Sequence, residues 1–232
     1  MGNLDDLCPF FHPPVDNLSG LNIEAYGPVL AVSPALSRRA HDTFRIAPVT
    51  AQQLSAGDLP VIGLVPGEII TQNLGRAAAP DPSRDLLKIA VAERHHNTGH
   101  IGLGYLKGYG LRQGAVATSI AHDSHNIIAV GTNDEDIAFA INRISALQGG
   151  IVVAEGGKVI AELPLPVAGL MSDAPLEEVN DLLEQAKAAA HRMGVSCGID
   201  PFMTLSFMSL PVIPSLKITT QGVFDVDRWQ YI

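Results

Sequence analysis

The chain has 232 residues, of which 47% are hydrophobic and 17% are charged, as in folded globular proteins. Its 24 acidic residues outnumber its 15 basic ones and give a net charge of −9. This balance argues against a nucleic-acid partner, because such proteins carry basic patches. No apolar run reaches the roughly 18–20 residues of a membrane span, and the acidic N-terminus does not resemble a signal peptide, so we expect a cytoplasmic protein without a membrane partner.

The first 42 residues predict an irregular, proline-rich segment. Short apolar stretches there are interrupted by prolines at positions 9, 13, 14, 28 and 34. From position 43 onward the pattern changes to regular elements. Residues 43–232 are therefore predicted to form the folded domain, and residues 1–42 either a tail or a piece that packs on something else.

Short apolar runs bounded by turn residues predict strands. Five such runs lie at residues 44–49, 61–65, 68–71, 86–93 and 127–130. Residues 151–154 and 158–163 are joined by a glycine turn, which indicates a hairpin. Residues 217–226 indicate a last strand or hairpin.

Two longer segments predict helices at about residues 132–148 and 175–193. In the first, Thr132 is placed as the N-cap and Glu135 follows three residues later, as in a capping box. Both segments carry apolar residues at helical spacing on one face. Together the elements predict a mixed α/β (α+β) domain with a mixed sheet, two principal helices and a glycine-turn hairpin.

Five of the eight histidines fall in two polar segments, which we name the first histidine segment (93–100) and the second histidine segment (122–126). The candidate site residues are Glu93, Arg94, His95, His96, His100, His122, Asp123, His125 and Asn126. Each segment adjoins a strand-like run, and a rigid sheet holds polar loop groups in place. We therefore expect the two segments to meet on one surface or cleft.

Three interpretations of these side chains stay open. They are buried hydrogen-bonding groups or groups that face another domain, they are metal ligands, or they contact a substrate held elsewhere. The candidate metal ligands are His95, His122 and His125, although their spacing matches no helical zinc motif. The sequence assigns no catalytic residue among them.

Six glycines crowd residues 99–114, between the two histidine segments. They match neither the dinucleotide-binding pattern nor the P-loop pattern. They are therefore predicted to permit close backbone packing or tight turns.

Long motifs in this chain resemble those of bacterial adenine deaminases. The resemblance is carried by AERHHNTGHIGLG at residues 92–104 and GAVATSIAHDSHNII at residues 114–128. It continues through shorter matches at residues 130–136, 162–166, 169–172, 200–207 and 210–214. It covers about residues 44–216, which is most of the chain.

The resemblance implies a hydrolase that converts adenine and water to hypoxanthine and ammonia in purine salvage. In this family a pair of manganese or iron ions activates the water within an amidohydrolase-type (β/α)₈ barrel. That barrel should carry a His-x-His pair, and this sequence contains none. A barrel of roughly 250 residues also exceeds the length of the chain. The chain thus corresponds to the C-terminal domain, with no (β/α)₈ barrel and no cofactor predicted for it.

Two functions are compatible with this correspondence. The chain is part of an adenine deaminase and is inactive without the metal-binding barrel, or it is a non-catalytic module for ligand binding or association. The expected partners are an amidohydrolase barrel domain or subunit, adenine as the family substrate, and a second copy of the chain. Self-association is expected because a domain that normally packs on a barrel exposes an apolar surface without it.

Overall fold

A computed structural model describes residues 40–232, so the prediction for the N-terminal segment falls almost wholly outside the described residues. The elements in chain order are α1 (Ala51–Leu54), β1 (Leu59–Leu64), β2 (Thr71–Ala77), a 3₁₀ turn (Pro82–Arg84), β3 (Leu86–Ala92), β4 (Ile101–Lys107), β5 (Ala115–Thr118), β6 (Ile127–Gly131), α2 (Asp134–Ala146), β7 (Gly150–Glu155), β8 (Lys158–Pro164), α3 (Leu176–Arg192), α4 (Pro201–Met208), β9 (Leu216–Thr219), β10 (Gly222–Asp225) and β11 (Gln230–Tyr231). Among these residues, no helix has the length and apolar character that a membrane crossing requires.

Eight strands form one sheet in the order β2-β1-β4-β3-β6-β5-β7-β8, and β9, β10 and β11 form a second, three-stranded sheet. Neighbouring strands of the large sheet are antiparallel except for β1 and β4, which are parallel. The predicted mixed α/β fold with a mixed sheet is therefore confirmed. The part of the chain that the structure describes contains no (β/α)₈ barrel.

Side chains alternate between the two faces of a sheet, and other elements cover both faces of this one, so the central strands are buried on both sides. In β3, Leu87, Ile89 and Val91 pack with α3, α4 and the small sheet, whereas Ala90 and Ala92 pack with α2. Apart from polar side chains such as the buried Lys88, the central strands are apolar on both faces, which gives the nearly continuous apolar runs seen in the sequence. The fold has three layers, with α1 and α2 on one face of the large sheet and α3, α4 and the small sheet on the opposite face.

Both predicted principal helices are present, but the N-cap of α2 is Asn133 rather than Thr132. The Asn133 side-chain oxygen accepts a 2.7 Å hydrogen bond from the backbone N–H of Asp136. The backbone N–H of Thr132 instead donates a 2.9 Å hydrogen bond to the carbonyl oxygen of Gly114. This hydrogen bond ties Thr132 to the residue before β5, and the N-cap falls one residue later, at Asn133.

The strand predicted at residues 44–49 is wrong. These residues form no ladder, and the side chains of Gln148, Asn97 and Asn142 accept hydrogen bonds from the backbone N–H groups of Phe44, Ala47 and Val49 instead. The Asn142 amide accepts from the N–H of Val49 at 2.8 Å and donates to its carbonyl oxygen at 2.7 Å. The strand predicted at residues 68–71 also starts later, at Thr71, and continues to Ala77.

Several elements were not predicted, among them α1, β4, β5 and α4. Helix α4 begins at Pro201, and the Asp200 carboxylate caps it by accepting from two backbone N–H groups. Strand β4 runs through the glycine-rich stretch, where the small sheet crosses it closely. A Cβ at Gly102 would overlap the carbonyl oxygen of Thr219, so the prediction that glycines permit close packing is confirmed there.

Lys217 in β9 generates a prediction about stability. Its side chain is fully buried and donates a 2.7 Å hydrogen bond to the carbonyl oxygen of Ile69. Burial lowers the pKa of Lys217 from 10.5 to about 8. The unfolded chain therefore binds this proton more tightly than the folded one, so the free energy of unfolding should rise between pH 8 and pH 10.5.

We expect Lys217→Met to raise the free energy of unfolding at pH 7 by about 1–3 kcal/mol, because it removes a buried charge while keeping a long side chain. The rise between pH 8 and pH 10.5 should also flatten. Urea titrations across this pH range measure both effects, with Lys107→Met on the exposed end of β4 as the control. A Lys217→Met variant less stable than the parent chain at pH 7 would refute this account.

Candidate functional site

The pairing of β3 with β6 brings the two histidine segments together. These strands are antiparallel, with Ala92 opposite Ile127, so the end of β3 lies beside the start of β6. The first histidine segment follows β3 and the second precedes β6. Across the gap, the ring Nε2 of His95 lies 2.7 Å from the carbonyl oxygen of Ser124. The expectation that the two segments meet is confirmed.

Glu93 organises the first histidine segment from within. Its carboxylate accepts hydrogen bonds from the backbone N–H groups of His95, His96 and Thr98 and from the Thr98 hydroxyl. Burial raises the pKa of Glu93, but these four hydrogen bonds outweigh it and lower the pKa to about 2. The carboxylate is therefore ionised at neutral pH, and its oxygen atoms are occupied by its own loop.

Arg94 joins both segments to a third loop. It is only 4% exposed, and its guanidinium donates to the carbonyl oxygens of His125 and, at 3.0 Å, Ala168. Its central carbon lies 4.2 Å from the centre of the Phe44 ring. Burial lowers the pKa of Arg94 to about 10, which leaves the side chain charged at neutral pH. Asn126 adds a further tie by accepting from the backbone N–H of Arg94 at 3.2 Å.

The six remaining candidates lie in the two adjoining histidine segments, and we name them together the histidine surface. It consists of His95, His96, His100, His122, Asp123 and His125. The first three and Asp123 are exposed, whereas the His122 and His125 rings are partly buried. The His122 ring lies 5.9 Å from that of His125 and 5.1 Å from that of Phe207 on α4. His100 directly precedes β4, and its carbonyl oxygen accepts a 3.0 Å hydrogen bond from the backbone N–H of Glu93.

His125 is the least satisfied of these side chains. Its Nδ1 atom is buried and has no hydrogen bond among the described residues. Burial lowers the pKa of His125, and the nearby His122 and Arg94 lower it further against the opposing effect of Asp123. A neutral imidazole with one free nitrogen can donate or accept a hydrogen bond, according to its tautomer.

The described residues contain no cluster of the side chains that usually bind metal ions. Within residues 40–232, no three His, Cys, Asp or Glu side chains lie close enough to hold an ion. The candidate ligands His95, His122 and His125 thus do not form such a group in this chain. What the histidine surface offers instead is a set of imidazole nitrogens that can donate or accept hydrogen bonds.

Three residues that complete the site were absent from the sequence candidates. Phe44 covers the guanidinium of Arg94, Ala168 supplies a carbonyl oxygen to it, and Phe207 supports the His122 ring. They come from segments far apart in the chain, so no local pattern marks them. Only the last lies within a stretch that the family resemblance had singled out.

Comparison with known proteins gives a consistent result. Residues 68–230 match the family described as the adenine deaminase C-terminal domain. An adenine deaminase of Brucella abortus (strain 2308) is 48% identical over 187 residues, covering 78% of this chain and 32% of the relative. One from Bacillus licheniformis is 49% identical over 181 residues, covering 75% and 32%. One from Cereibacter sphaeroides is 42% identical over 237 residues, covering 94% and 42%. The chain spans about a third to two-fifths of these relatives.

The role of Glu93 in its loop can be tested by Glu93→Gln. We expect this change to lower the free energy of unfolding by about 2–3 kcal/mol at pH 7, because an amide cannot accept all four hydrogen bonds. Since the pKa of Glu93 is depressed from 4.5 to about 2, the carboxylate stabilises the fold above pH 4.5 and loses this effect towards pH 2. The difference between variant and parent should shrink over that interval.

Urea unfolding at several pH values measures this difference. Glu68→Gln, at an exposed turn position, is the matched control and should change the free energy of unfolding by less than about 0.5 kcal/mol. Equal stability of the Glu93→Gln variant and the parent chain at pH 7 would show that the loop does not depend on this carboxylate.

Proposed function

The chain belongs to the adenine deaminase family as a C-terminal domain, and from this premise we propose that it forms part of an enzyme that hydrolyses adenine to hypoxanthine and ammonia. The observation that carries the proposal is the histidine surface, which lies within the region that matches the family. In this proposal the surface faces the substrate site of an amidohydrolase barrel. We place the enzyme in cytoplasmic purine salvage.

The chemistry of deamination suits such a surface. Water attacks the ring carbon that bears the amino group, and protons must move to the departing ammonia. Imidazoles titrate near neutral pH and can hold a ring nitrogen or the amino group by hydrogen bonds. We assign these contacts to the exposed rings of His95, His96 and His100, together with the exposed carboxylate of Asp123 in the second histidine segment.

The metal pair of the proposed enzyme does not fit the described residues of this chain. A manganese or iron ion needs several His or carboxylate ligands around one point, and residues 40–232 provide no group of three. We therefore propose that the barrel holds the metal and activates the water. The role of this chain is to bind and orient the base at the rim of that site.

A second role, in association, is supported by exposed apolar side chains at one edge of the sheet. Strand β2 is an edge strand, and Ile69, Ile70 and Leu74 are exposed on it or just before it. Ile69 and Met203 of α4 line one groove, which also includes Phe207 beneath the histidine surface. Exposed apolar side chains at a sheet edge attract partners. We propose that this edge packs on the barrel or, in its absence, on a second copy of the chain.

The isolated 232-residue chain should not deaminate adenine, because its sequence lacks the His-x-His pair that would help to hold the activating metal. We expect ammonia release below about 1 s⁻¹ with or without added Mn²⁺ or Fe²⁺. A chimera in which this chain replaces the matching third of the Brucella abortus enzyme should be active. Turnover of the isolated chain above that rate, or an inactive but folded chimera, would contradict the proposal.

The histidine surface is tested in the same chimera. Replacing His96 and His100 together by Ala should lower kcat/KM for adenine by about tenfold or more, because both exposed rings contribute hydrogen bonds or proton transfer. The matched control replaces the exposed pair Glu177 and Glu178 on α3 by Ala and should leave kcat/KM unchanged. Equal effects of the two double variants on kcat/KM would show that the histidine surface takes no part in the reaction.

Association is tested by light scattering of the isolated chain. We expect a two-fold dimer rather than a 24.5 kDa monomer, because a shared apolar edge is most simply buried against itself. Ile70→Lys on the β2 side should shift the population towards monomer. Ile160→Lys on the opposite edge strand is a matched control, since the two side chains are 44% and 46% exposed. A single monomeric species over a roughly hundredfold concentration range would refute self-association.

A further inference from the structure

A cavity of about 240 Å³ lies between the large sheet and the helices α3 and α4, on the side of the sheet away from α2. Most of its wall is apolar, with Ile151, Leu163 and Leu165 on the sheet side and Leu183 and Phe202 on the helix side. None of its lining residues belongs to the histidine surface. The cavity is therefore a separate place in the molecule.

Ser206 of α4 gives this cavity an unsatisfied polar group. Its side chain lines the cavity and is only 1% exposed, and its hydroxyl has no hydrogen-bond partner among the described residues. A buried hydroxyl without a partner destabilises the fold, and a bound molecule that reached it through a small movement of the cavity wall would recover that loss. Buried polar groups left unpaired in this way call for an explanation.

Two charged side chains, one a hydrogen-bond donor and one an acceptor, line the same cavity. The ammonium of Lys187 lies 3.4 Å from the Asp200 carboxylate and 3.2 Å from that of Glu184. Lys187 and Asp200 both line the cavity. A molecule inside it would thus meet an apolar wall over most of its surface and hydrogen-bonding groups of both kinds at its edge, as in small-molecule sites generally.

We propose that this cavity is a binding site for a neutral nitrogen heterocycle of the purine-base class. An apolar cavity of about 150 Å³ accepts benzene, with six ring atoms, so 240 Å³ corresponds to about ten non-hydrogen atoms. A purine base has that size, a flat apolar face and an edge of alternating donors and acceptors. The choice of purines over other heterocycles of this size rests on the proposed function.

The site is positioned to act on the histidine surface through α4. The carbonyl oxygen of Ser206 accepts a 3.1 Å hydrogen bond from the backbone N–H of His122, and the next residue, Phe207, packs against the His122 ring. A base bound to the Ser206 hydroxyl therefore contacts the turn of helix that supports His122. The cavity is a regulatory site, through which substrate or product adjusts the histidine surface.

Isothermal titration of the full 232-residue chain with adenine and with hypoxanthine tests the proposal. We expect saturable binding of at least one of the two bases. Ser206→Ala should weaken it at least tenfold while leaving the urea midpoint of the chain unchanged or higher. Leu183→Trp, which fills part of the cavity from its helix side, should weaken it as well.

Ser209→Ala is the matched control, because Ser209 is also buried with an unpaired hydroxyl but does not line the cavity. It should bind like the parent chain. No saturable binding of either base, or equal affinity of the Ser206→Ala variant and the parent chain, would overturn the proposal. The titration measures no turnover, so its failure is distinguishable from failure of the chimera to deaminate adenine.

Discussion

The guanidinium of Arg94 is buried where three loops meet, and carbonyl oxygens and an aromatic face replace the water that it loses. A buried charge without such partners is costly, so the loops that carry His125 and Ala168 must keep their positions for the fold to persist. Glu93 fixes its own loop in the same manner, through backbone N–H groups. The histidine surface is therefore held rigidly by two charged side chains that do not themselves face outward.

The sheet beneath this surface is shaped by small side chains on one face and large ones on the other. Towards α2 the strands present Ala90, Ala117 and Ala129, which let the isoleucines of that helix pack against the sheet. Towards α3 and α4 they present branched residues, and the packing there is less complete, since a cavity remains. The tightly packed face anchors the ends of β3 and β6 from which the two histidine segments extend.

Much of the fold follows from the sequence because periodicity and turn residues are local signals. They predict β3, the hairpin of β7 and β8, and both principal helices to within two residues. They fail where a distant partner decides the structure. Residues 44–49 have the composition of a strand, yet the side chain of Asn142, and not a neighbouring strand, hydrogen-bonds to the backbone of Val49. Helix α4 was missed for another reason, because it is short and apolar and has no polar face that would reveal a helical period. The candidate site was likewise predicted only in part: the clustered histidines stand out in the sequence, whereas nothing local in the sequence assigns Phe44 and Phe207 to the site.

The way in which charge is neutralised at the site bears on the kind of substrate it suits. Glu93 and Arg94 are adjacent in sequence, yet each is satisfied mainly by backbone groups, so neither projects charge from the histidine surface. The partly buried imidazole of His125 favours its neutral form, because burial and the nearby Arg94 lower its pKa. A phosphate would find no arginine among the six side chains of the histidine surface, whereas an uncharged base would find donors and acceptors there. Under the proposed function, such a surface suits a free base better than a nucleotide.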